Sequence, residues 1–317
     1  MAAGSGSRKV IYAALAGNLL VALTKFAAAW WTGSSAMLSE GVHSVVDTSN
    51  QILLLYGIRR STKPRDDDHP LGYGRELYFW SFIVAVLIFS LGAGVAFYEG
   101  IAHIRAPVPI TDPIVNYVVL GISFVFEGTT LIIALKEFNK TRGSLGYIGA
   151  VEESKDPPSF LVLFEDSAAL IGIVIAFAGT AAAQVFSMPV LDGVASLGIS
   201  LVLAVTATFL ARESKSLLIG EGARARTMRS IRQIAAEQPG VERVNDLITV
   251  HLAPQQVVAA LSLEFKDELT TPEIENAVAA IEGRICSQNP EVYTIFIKPQ
   301  SSSTRDQRAQ ATAAVST

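Results

Sequence analysis

Three ionisable residues, His43, Asp47 and Asp166, lie inside apolar stretches that are long enough to cross a membrane. His43 and Asp47 are four residues apart in the run 35–58, so their side chains share one face of one helix. Asp166 lies in a second run, 160–185. A charge in mid-bilayer costs about 2.5–3.5 kcal/mol on insertion scales, so such residues normally face a bundle interior and serve a function. Imidazole and carboxylate are ligands for borderline divalent cations, and this set predicts an intramembrane metal transport site.

Other acidic residues leave the completion of this site open. Glu165 precedes Asp166, and adjacent helical residues point about 100° apart, so Asp166 is the predicted ligand. Three roles stay open for Glu165: a fourth ligand, a base beside the ligands, or a residue at the cytoplasmic boundary. Glu40 lies on nearly the same stripe as the first pair and is an exit-side ligand or an outer-interface group. Glu127 lies deep in another apolar run, at residues 113–135. Its candidate roles are a proton carrier and a partner for Lys25.

His43 and Asp47 are also the candidates for proton coupling. A metal binds neutral imidazole and ionised carboxylate, so a proton and the metal compete for the same lone pairs. The ordinary pKa of histidine, about 6.5, lies in the useful range. The alternative is a structural hydrogen-bonded pair, because the spacing alone is common in helices.

A second constellation, Asp66, Asp67, Asp68 and His69, follows the second apolar run. Three carboxylates and an imidazole can attract or bind a cation, and an acidic funnel that raises the local cation concentration needs no defined coordination. The alternative is a solvated turn without a ligand.

Six apolar runs can each cross about 30 Å of hydrocarbon: residues 10–31, 35–58, 77–104, 113–135, 160–185 and 189–210. Basic residues concentrate before the first run, after the second, after the fourth and after the sixth, and the opposite side has only Arg105. Both termini are therefore predicted to be cytoplasmic. Lys25 falls inside the first run; it either snorkels or pairs with another residue, and snorkelling is the default expectation. Asp192 is expected to make interhelical hydrogen bonds, and no cleavable signal is predicted.

The pattern changes after residue 210, where apolar runs end and charged residues become more frequent along the chain. Thr271 is predicted to cap a helix that has Pro272 at its first position and ends near residue 288. With a polar helix within 212–237 and strands at 241–250, 257–265 and 291–298, the order α-β-β-α-β predicts an α+β domain with helices on one face of a small sheet. The predicted divisions are a tail at 1–8, a six-helix membrane domain at 9–211, a cytoplasmic domain at 212–299 and a disordered tail at 300–317.

The composition sets further limits. Half of the 317 residues are hydrophobic and 17% are charged, which is typical of a membrane protein with a soluble part. A net charge of −4 argues against nucleic-acid binding. The single cysteine, Cys286, excludes an intramolecular disulfide framework and a multi-cysteine metal site. We expect no enzymatic activity and no cofactor beyond the transported metal; membrane lipid is the expected surrounding.

Two segments together carry a family resemblance. They are SEGVHSVVD at residues 39–47 and DHPLGYGR at residues 68–75. Both resemble the cation diffusion facilitator family, and the resemblance covers about residues 9–299. It implies an α-helical membrane protein with six transmembrane helices and a ferredoxin-like cytoplasmic domain. It also implies a homodimer that exports divalent metal from the cytoplasm in exchange for protons.

The resemblance also implies a ligand set, from which this chain departs. The family uses two residues four apart on the second helix, matched by His43 and Asp47, and two on the fifth, where Asp166 matches only the second. Val162 takes the other place and cannot ligate, so Glu165, Glu40, Glu127 or water is left as the fourth ligand. The run 164–169 resembles the branch that includes the animal mitochondrial zinc transporter, which favours zinc.

The same resemblance sets an expectation for the cytoplasmic domain. Other members place several His and Asp residues there to bind metal at the dimer interface. This domain has one histidine, His251, with Asp246 nearby. We therefore expect it to dimerise through apolar contact, without a metal cluster.

Several alternatives stay open at this point. In the first alternative the transported metal is Mn²⁺, Fe²⁺ or Co²⁺. In the second the cargo is an organic solute, although carriers of organic solutes usually have more helices or repeats. A channel is a third. A non-transporting scaffold or sensor that has lost part of its site is a fourth, and Val162 keeps it open. The compact, Ala-rich chain favours a bacterial inner membrane.

Overall fold

The computed structural model describes residues 5–110, 112–142 and 146–301, with side chains in these ranges except at 5–17, 137, 140 and 141. The predicted disordered tail lies outside the described residues from 302 onward, as do the first four residues of the predicted N-terminal tail. The chain divides into two compact units, Met1–Thr62 with Glu76–Lys215, and Lys63–Arg75 with Ser216–Thr317.

The first unit is helical. Its elements are α1 (Ser5–Thr32), α2 (Ser35–Ser61), α3 (Glu76–Leu87), a π-helical segment (Ile88–Ala93), α4 (Gly94–Arg105), α5 (Pro113–Arg142), α6 (Tyr147–Glu153), α7 (Pro157–Val185) and α8 (Val190–Ile219). Gly33 joins α1 to α2 with a φ of 70°, a left-handed conformation that glycine adopts without steric cost. All six predicted apolar runs are helical. The short α6 was not predicted, and α8 continues past the predicted end at residue 210.

Four helices of the described part are long and apolar enough to cross a membrane: Glu76–Arg105, Pro113–Lys136, Pro157–Val185 and Val190–Ile219. The first of these contains the π-helical segment, where the Ser200 hydroxyl of α8 donates to the carbonyl of Ala93 at 2.8 Å. α2, which carries Glu40, His43 and Asp47 along its length, is not among the four. The count of six spans stays a prediction.

The carboxylate of Asp192, near the start of α8, caps the first turn of α2. It accepts the backbone N–H of Ser35 at 2.6 Å and of Ala36 at 3.2 Å, and the hydroxyl of Ser34 at 2.8 Å. The first amides of a helix have no intrahelical acceptor, and the helix dipole favours an anion there. The predicted interhelical bonding of Asp192 is confirmed, and it fixes the helix that carries His43 and Asp47.

The second unit contains α9 (Ala225–Ala236), β1 (Val241–Ala253), β2 (Gln256–Phe265), α10 (Thr271–Gln288) and β3 (Val292–Pro299). The sheet order is β1-β2-β3, with β1 antiparallel and β3 parallel to β2. The predicted α-β-β-α-β order is present. The helix cap is Thr270 rather than the predicted Thr271, because Thr270 forms the reciprocal capping box with Glu273.

The helices α9 and α10 cover one face of this sheet. The alternation in β2 buries Val257, Ala259, Leu261, Leu263 and Phe265, as the sequence predicted. Except for Val257, these side chains form one core with Ile231, Ile281 and Ile285 of the two helices. The other face carries a cross-strand row, Ile248, Ala260 and Phe296, in which Ile248 is 65% exposed and Phe296 57%.

Candidate metal site in the helical unit

His43 and Asp47 lie together on α2. The ring nitrogen Nδ1 of His43 is 3.3 Å from Oδ1 of Asp47, and both side chains are buried. The orientation of the two groups does not make a hydrogen bond, since neither ring nitrogen of His43 nor Oδ1 of Asp47 has a hydrogen-bond partner. The imidazole and the carboxylate therefore lie side by side inside the bundle, with ring nitrogens and an Oδ1 that no hydrogen bond occupies.

The carboxylate of α7 that faces this pair is Glu165. The carboxyl groups of Asp47 and Glu165 lie within hydrogen-bonding reach of each other. Asn50, one turn further along α2, donates its amide to Oε1 of Glu165 at 2.9 Å. These contacts join α2 to α7 at the level of Asp47.

Asp166 occupies a different angular position on α7. Its carboxylate lies beside the side chain of Thr130 on α5, and its Oδ2 has no hydrogen-bond partner. The turn of about 100° between adjacent helical residues separates it from Glu165. The structure thus brings His43, Asp47 and Glu165 into one chain of contacts, and Asp166 lies behind Glu165 on the α5 side.

Buried polar atoms without hydrogen-bond partners concentrate in this region. They include both nitrogens of His43, Oδ1 of Asp47, Oδ1 of Asn50 and Oδ2 of Asp166. An unsatisfied buried polar group costs about 1–3 kcal/mol, and a cation would relieve that cost for several groups at once. Within the described residues, no three His, Cys, Asp or Glu side chains are already close enough together to hold a metal ion. Binding would therefore draw the pairs together.

Lys25 and Glu40 form a buried ion pair one turn from His43. The ammonium of Lys25 lies 3.0 Å from Oε2 of Glu40 and donates to the Ser44 hydroxyl at 2.9 Å; Lys25 and Glu40 are both completely buried. The prediction that Lys25 snorkels is wrong, because its carboxylate partner lies inside the bundle. Gly172 of α7 leaves the space that the other oxygen of Glu40 occupies.

Two further candidates have defined places. Glu127 is buried on α5, within electrostatic range of Lys25 and Glu40. The ammonium of Lys25 donates to Glu40 and Ser44, so Glu127 is a neighbour of the ion pair. Val162 is half-buried on α7, one turn before Asp166. Its apolar side chain supplies no donor at the position where the resemblance implies a ligand.

The acidic turn at residues 66–69 is folded on itself. Asp66 accepts the backbone N–H of His69 at 2.8 Å and the Tyr73 hydroxyl at 2.6 Å, and the ring of His69 stacks on Tyr73 with centroids 4.2 Å apart. The hydrogen bond from Tyr73 is the main cause that lowers the pKa of the Asp66 carboxyl. Asp67 and Asp68 are exposed. Asp66 is thus occupied in structuring the turn, while its two neighbours face solvent.

The two candidates of the second unit make different contacts. His251 is buried at the end of β1, with Nδ1 3.2 Å from the carbonyl oxygen of Ala253. The carboxylate of Asp246 accepts the backbone N–H of Leu247 at 2.9 Å. The expected lack of a metal cluster in this domain stays a prediction.

Sequence reasoning missed three polar residues that contact the candidates: Ser44, Asn50 and Thr130. The position of Asn50 in the sequence could have identified it as a neighbour of the candidate ligands. It lies three residues after Asp47 and seven after His43, on the same helical stripe. Ser44 and Thr130 are common residue types in apolar helices, and nothing in their spacing distinguished them.

Comparisons with known proteins place both units. The family model described as the cation efflux transmembrane domain matches residues 11–219, and that of the cation efflux protein, cytoplasmic domain, matches residues 223–300. The mitochondrial proton-coupled zinc antiporter SLC30A9 of Homo sapiens is 32% identical over 268 residues, covering 84% of this chain and 47% of that protein.

Two relatives from other organisms match similar extents of the chain. Metal tolerance protein C4 of Arabidopsis thaliana is 32% identical over 266 residues, covering 83% of this chain and 57% of that protein. The cation-efflux pump FieF of Escherichia coli O127:H6 is 25% identical over 284 residues, covering 90% and 89%. The chain spans about half the length of the antiporters that it matches, 47% for the human protein.

Proposed function

Because the chain belongs to the cation efflux family, we propose that it is a multi-pass membrane exporter that moves a divalent metal cation, zinc foremost, out of the cytoplasm in exchange for protons. The observation that carries this proposal is the buried pair His43 and Asp47. Neither ring nitrogen of His43 nor Oδ1 of Asp47 has a hydrogen-bond partner, and the neighbour of the pair across the helix interface is Glu165. We further propose that both termini are cytoplasmic and that the membrane is a bacterial inner membrane.

The proposed ligands are His43 and Asp47 from α2 and a carboxylate from α7. We assign this third role to Glu165, which already approaches Asp47, in place of the donor that Val162 cannot supply. Asp166 lies next to it in the chain and is coupled to it electrostatically. A rotation of α7 by part of a turn would exchange the two carboxylates at the ion, which suits a site that must open to each side in turn.

Glu40 is removed from this ligand set by Lys25. One Glu40 oxygen is held by the ammonium, and the ion pair as a whole is neutral. The charge available to the cargo therefore comes from Asp47 and the α7 carboxylates. Two ionised carboxylates with a neutral imidazole balance one divalent cation.

Proton exchange follows from the same donors. His43 must be neutral and the carboxylates ionised for metal to bind, so protons that arrive from an acidic outer compartment displace the metal. Return to a more alkaline cytoplasm removes those protons and restores the ligands. Metal binding at the inner side and proton binding at the outer side each favour a different orientation of the site.

Zinc-loaded proteoliposomes with an internal pH-sensitive dye test this function. We expect zinc and protons to move in opposite directions, with zinc flux rising when the imposed pH gradient is increased. The coupling should weaken in His43→Ala, since that variant loses the imidazole. Zinc flux that ignores the pH gradient would refute proton exchange and leave a channel. An absence of flux for Zn²⁺, Mn²⁺, Fe²⁺ and Co²⁺ alike would favour the scaffold.

We also propose that the chain acts as a homodimer and that the open face of the cytoplasmic sheet takes part. Ile248 and Phe296 flank Ala260 across three strands and are more than half exposed in the single chain. Removing two such side chains from water contributes about 25 cal/mol per Å² of apolar area. The occupant that we propose is the same face of a second copy.

The variant Ile248→Lys tests the sheet face. A charge in the apolar row should raise the dimer dissociation constant about tenfold or more, because two lysines then meet across the twofold axis. Mass photometry or analytical ultracentrifugation of the full chain, with a chelator present, measures the dissociation. Arg243→Lys, on the same strand, is the matched control. An unchanged dimer in Ile248→Lys, or a dimer that appears only when zinc is added, would contradict the proposal.

A further inference from the structure

A second polar site lies at the opposite end of α2 from the acidic turn. A cavity of about 350 Å³ opens between α1, α2 and α4, and Glu99 and His103 of α4 face it together with Ser34 and Ser35 of α2. Glu99 and His103 are four residues apart, so the carboxylate and the imidazole lie on one face of their helix. This repeats, in reverse order, the spacing of His43 and Asp47.

His103 provides an independent indication that this cavity holds a ligand. Its side chain is only 8% exposed, it lines the cavity, and Nε2 has no hydrogen-bond partner. A buried polar atom without a partner normally has an ordered water or ion beside it. An imidazole and a carboxylate one helical turn apart on the wall of one cavity are a donor pair that a divalent transition-metal cation could bridge.

The surrounding charge also favours a cation. The hydroxyls of Ser34 and Ser35 donate to the carboxylate of Asp192, at 2.8 and 3.1 Å, which places a second carboxylate directly behind this wall of the cavity. Within the wall itself, the charged group is Glu99. The space suffices for an ion that keeps much of its hydration, since six waters occupy about 180 Å³ at about 30 Å³ each.

The position along α2 relates this cavity to the proposed transport site. Ser35 lies eight residues before His43, about 12 Å along the helix axis at 1.5 Å per residue. With both termini cytoplasmic, this end of α2 is the outer end. An ion that leaves His43 towards the outside therefore reaches Glu99 and His103 within little more than two helical turns.

From this arrangement we infer that Glu99 and His103 form an exit subsite, a second and weaker binding site for a hydrated divalent cation. Its two protein donors make it weaker than the proposed transport site, which has three, so that the ion can leave. The inference rests on the proposed function for its direction of transport. The binding itself does not depend on that function.

Equilibrium binding of radioactive Zn²⁺ to the full chain in nanodiscs tests the subsite, in a background of Asp47→Ala that removes the proposed transport site. We expect about one Zn²⁺ per chain to be lost on adding Glu99→Gln and His103→Gln together. Each single change should weaken that binding about tenfold. Glu99→Gln preserves side-chain volume and decides the question if His103→Gln does not fold.

The acidic turn supplies the matched control. His69→Gln in the same Asp47→Ala background should leave the subsite zinc bound. If the residual zinc is unaffected by Glu99→Gln and His103→Gln, or is instead lost with His69→Gln, the subsite is refuted. Zinc binding at the subsite is measured without transport. If the unsubstituted chain moves no zinc, but Glu99→Gln and His103→Gln together still remove one bound zinc, the proposed function is refuted and the subsite stands.

Discussion

Asp47→Ala should reduce metal flux in proteoliposomes about a hundredfold or more, while the chain still folds and dimerises. Asp47 is the residue that contacts both other proposed ligands, His43 on its own helix and Glu165 across the interface with α7. Its loss removes a charge and a donor together. A hundredfold change corresponds to about 2.8 kcal/mol of lost metal binding.

Asp166→Ala should also stop transport, because the proposed cycle passes the ion between the two α7 carboxylates. Glu165→Gln should lower flux about tenfold, since the amide keeps size but loses charge. Ser49→Ala, an exposed position on α2, is the control and should transport normally. Zinc flux is measured for each variant, and a size-exclusion profile shows whether that variant is folded. Together the two measurements separate loss of function from loss of fold. Near-normal flux in either alanine variant would remove the proposed site.

Lys25→Met should destabilise the helical unit strongly. Removal of the ammonium leaves Glu40 completely buried without a counter-charge, and breaking a buried pair in this way costs about 3–5 kcal/mol. The apparent unfolding temperature in detergent should fall accordingly. Leu23→Met, at an exposed position of the same helix, should leave it unchanged.

The double variant Lys25→Met with Glu40→Gln distinguishes the ion pair from simple packing. Neutralising Glu40 removes the unpaired charge, so most of the lost stability should return. A double variant that is as unstable as Lys25→Met alone would mean that the aliphatic stem of Lys25, rather than its charge, stabilises the bundle. A fully stable Lys25→Met would show that Glu40 has another partner.

Sequence alone determined where the polar residues lie along each helix. The four-residue spacing of His43 and Asp47 fixes their common face, because the helical period is a local property. The second unit was predictable in more detail. Alternation in β2 identifies a buried face, and the fold confirms which side chains form it. The shift of the α10 cap by one residue reflects two adjacent threonines, Thr270 and Thr271, either of which can cap.

Only the tertiary structure decided how the helices are rotated against each other. Apolar residues surround most of α7, so its hydrophobic pattern does not indicate which side faces α2. Sequence reasoning chose Asp166 over Glu165 on this point, and the packing places Glu165 beside Asp47. The partner of Lys25 was hidden for the same reason. A lysine in an apolar run reads as a snorkelling residue until a neighbouring helix, here with Glu40, supplies the opposite charge at the same depth.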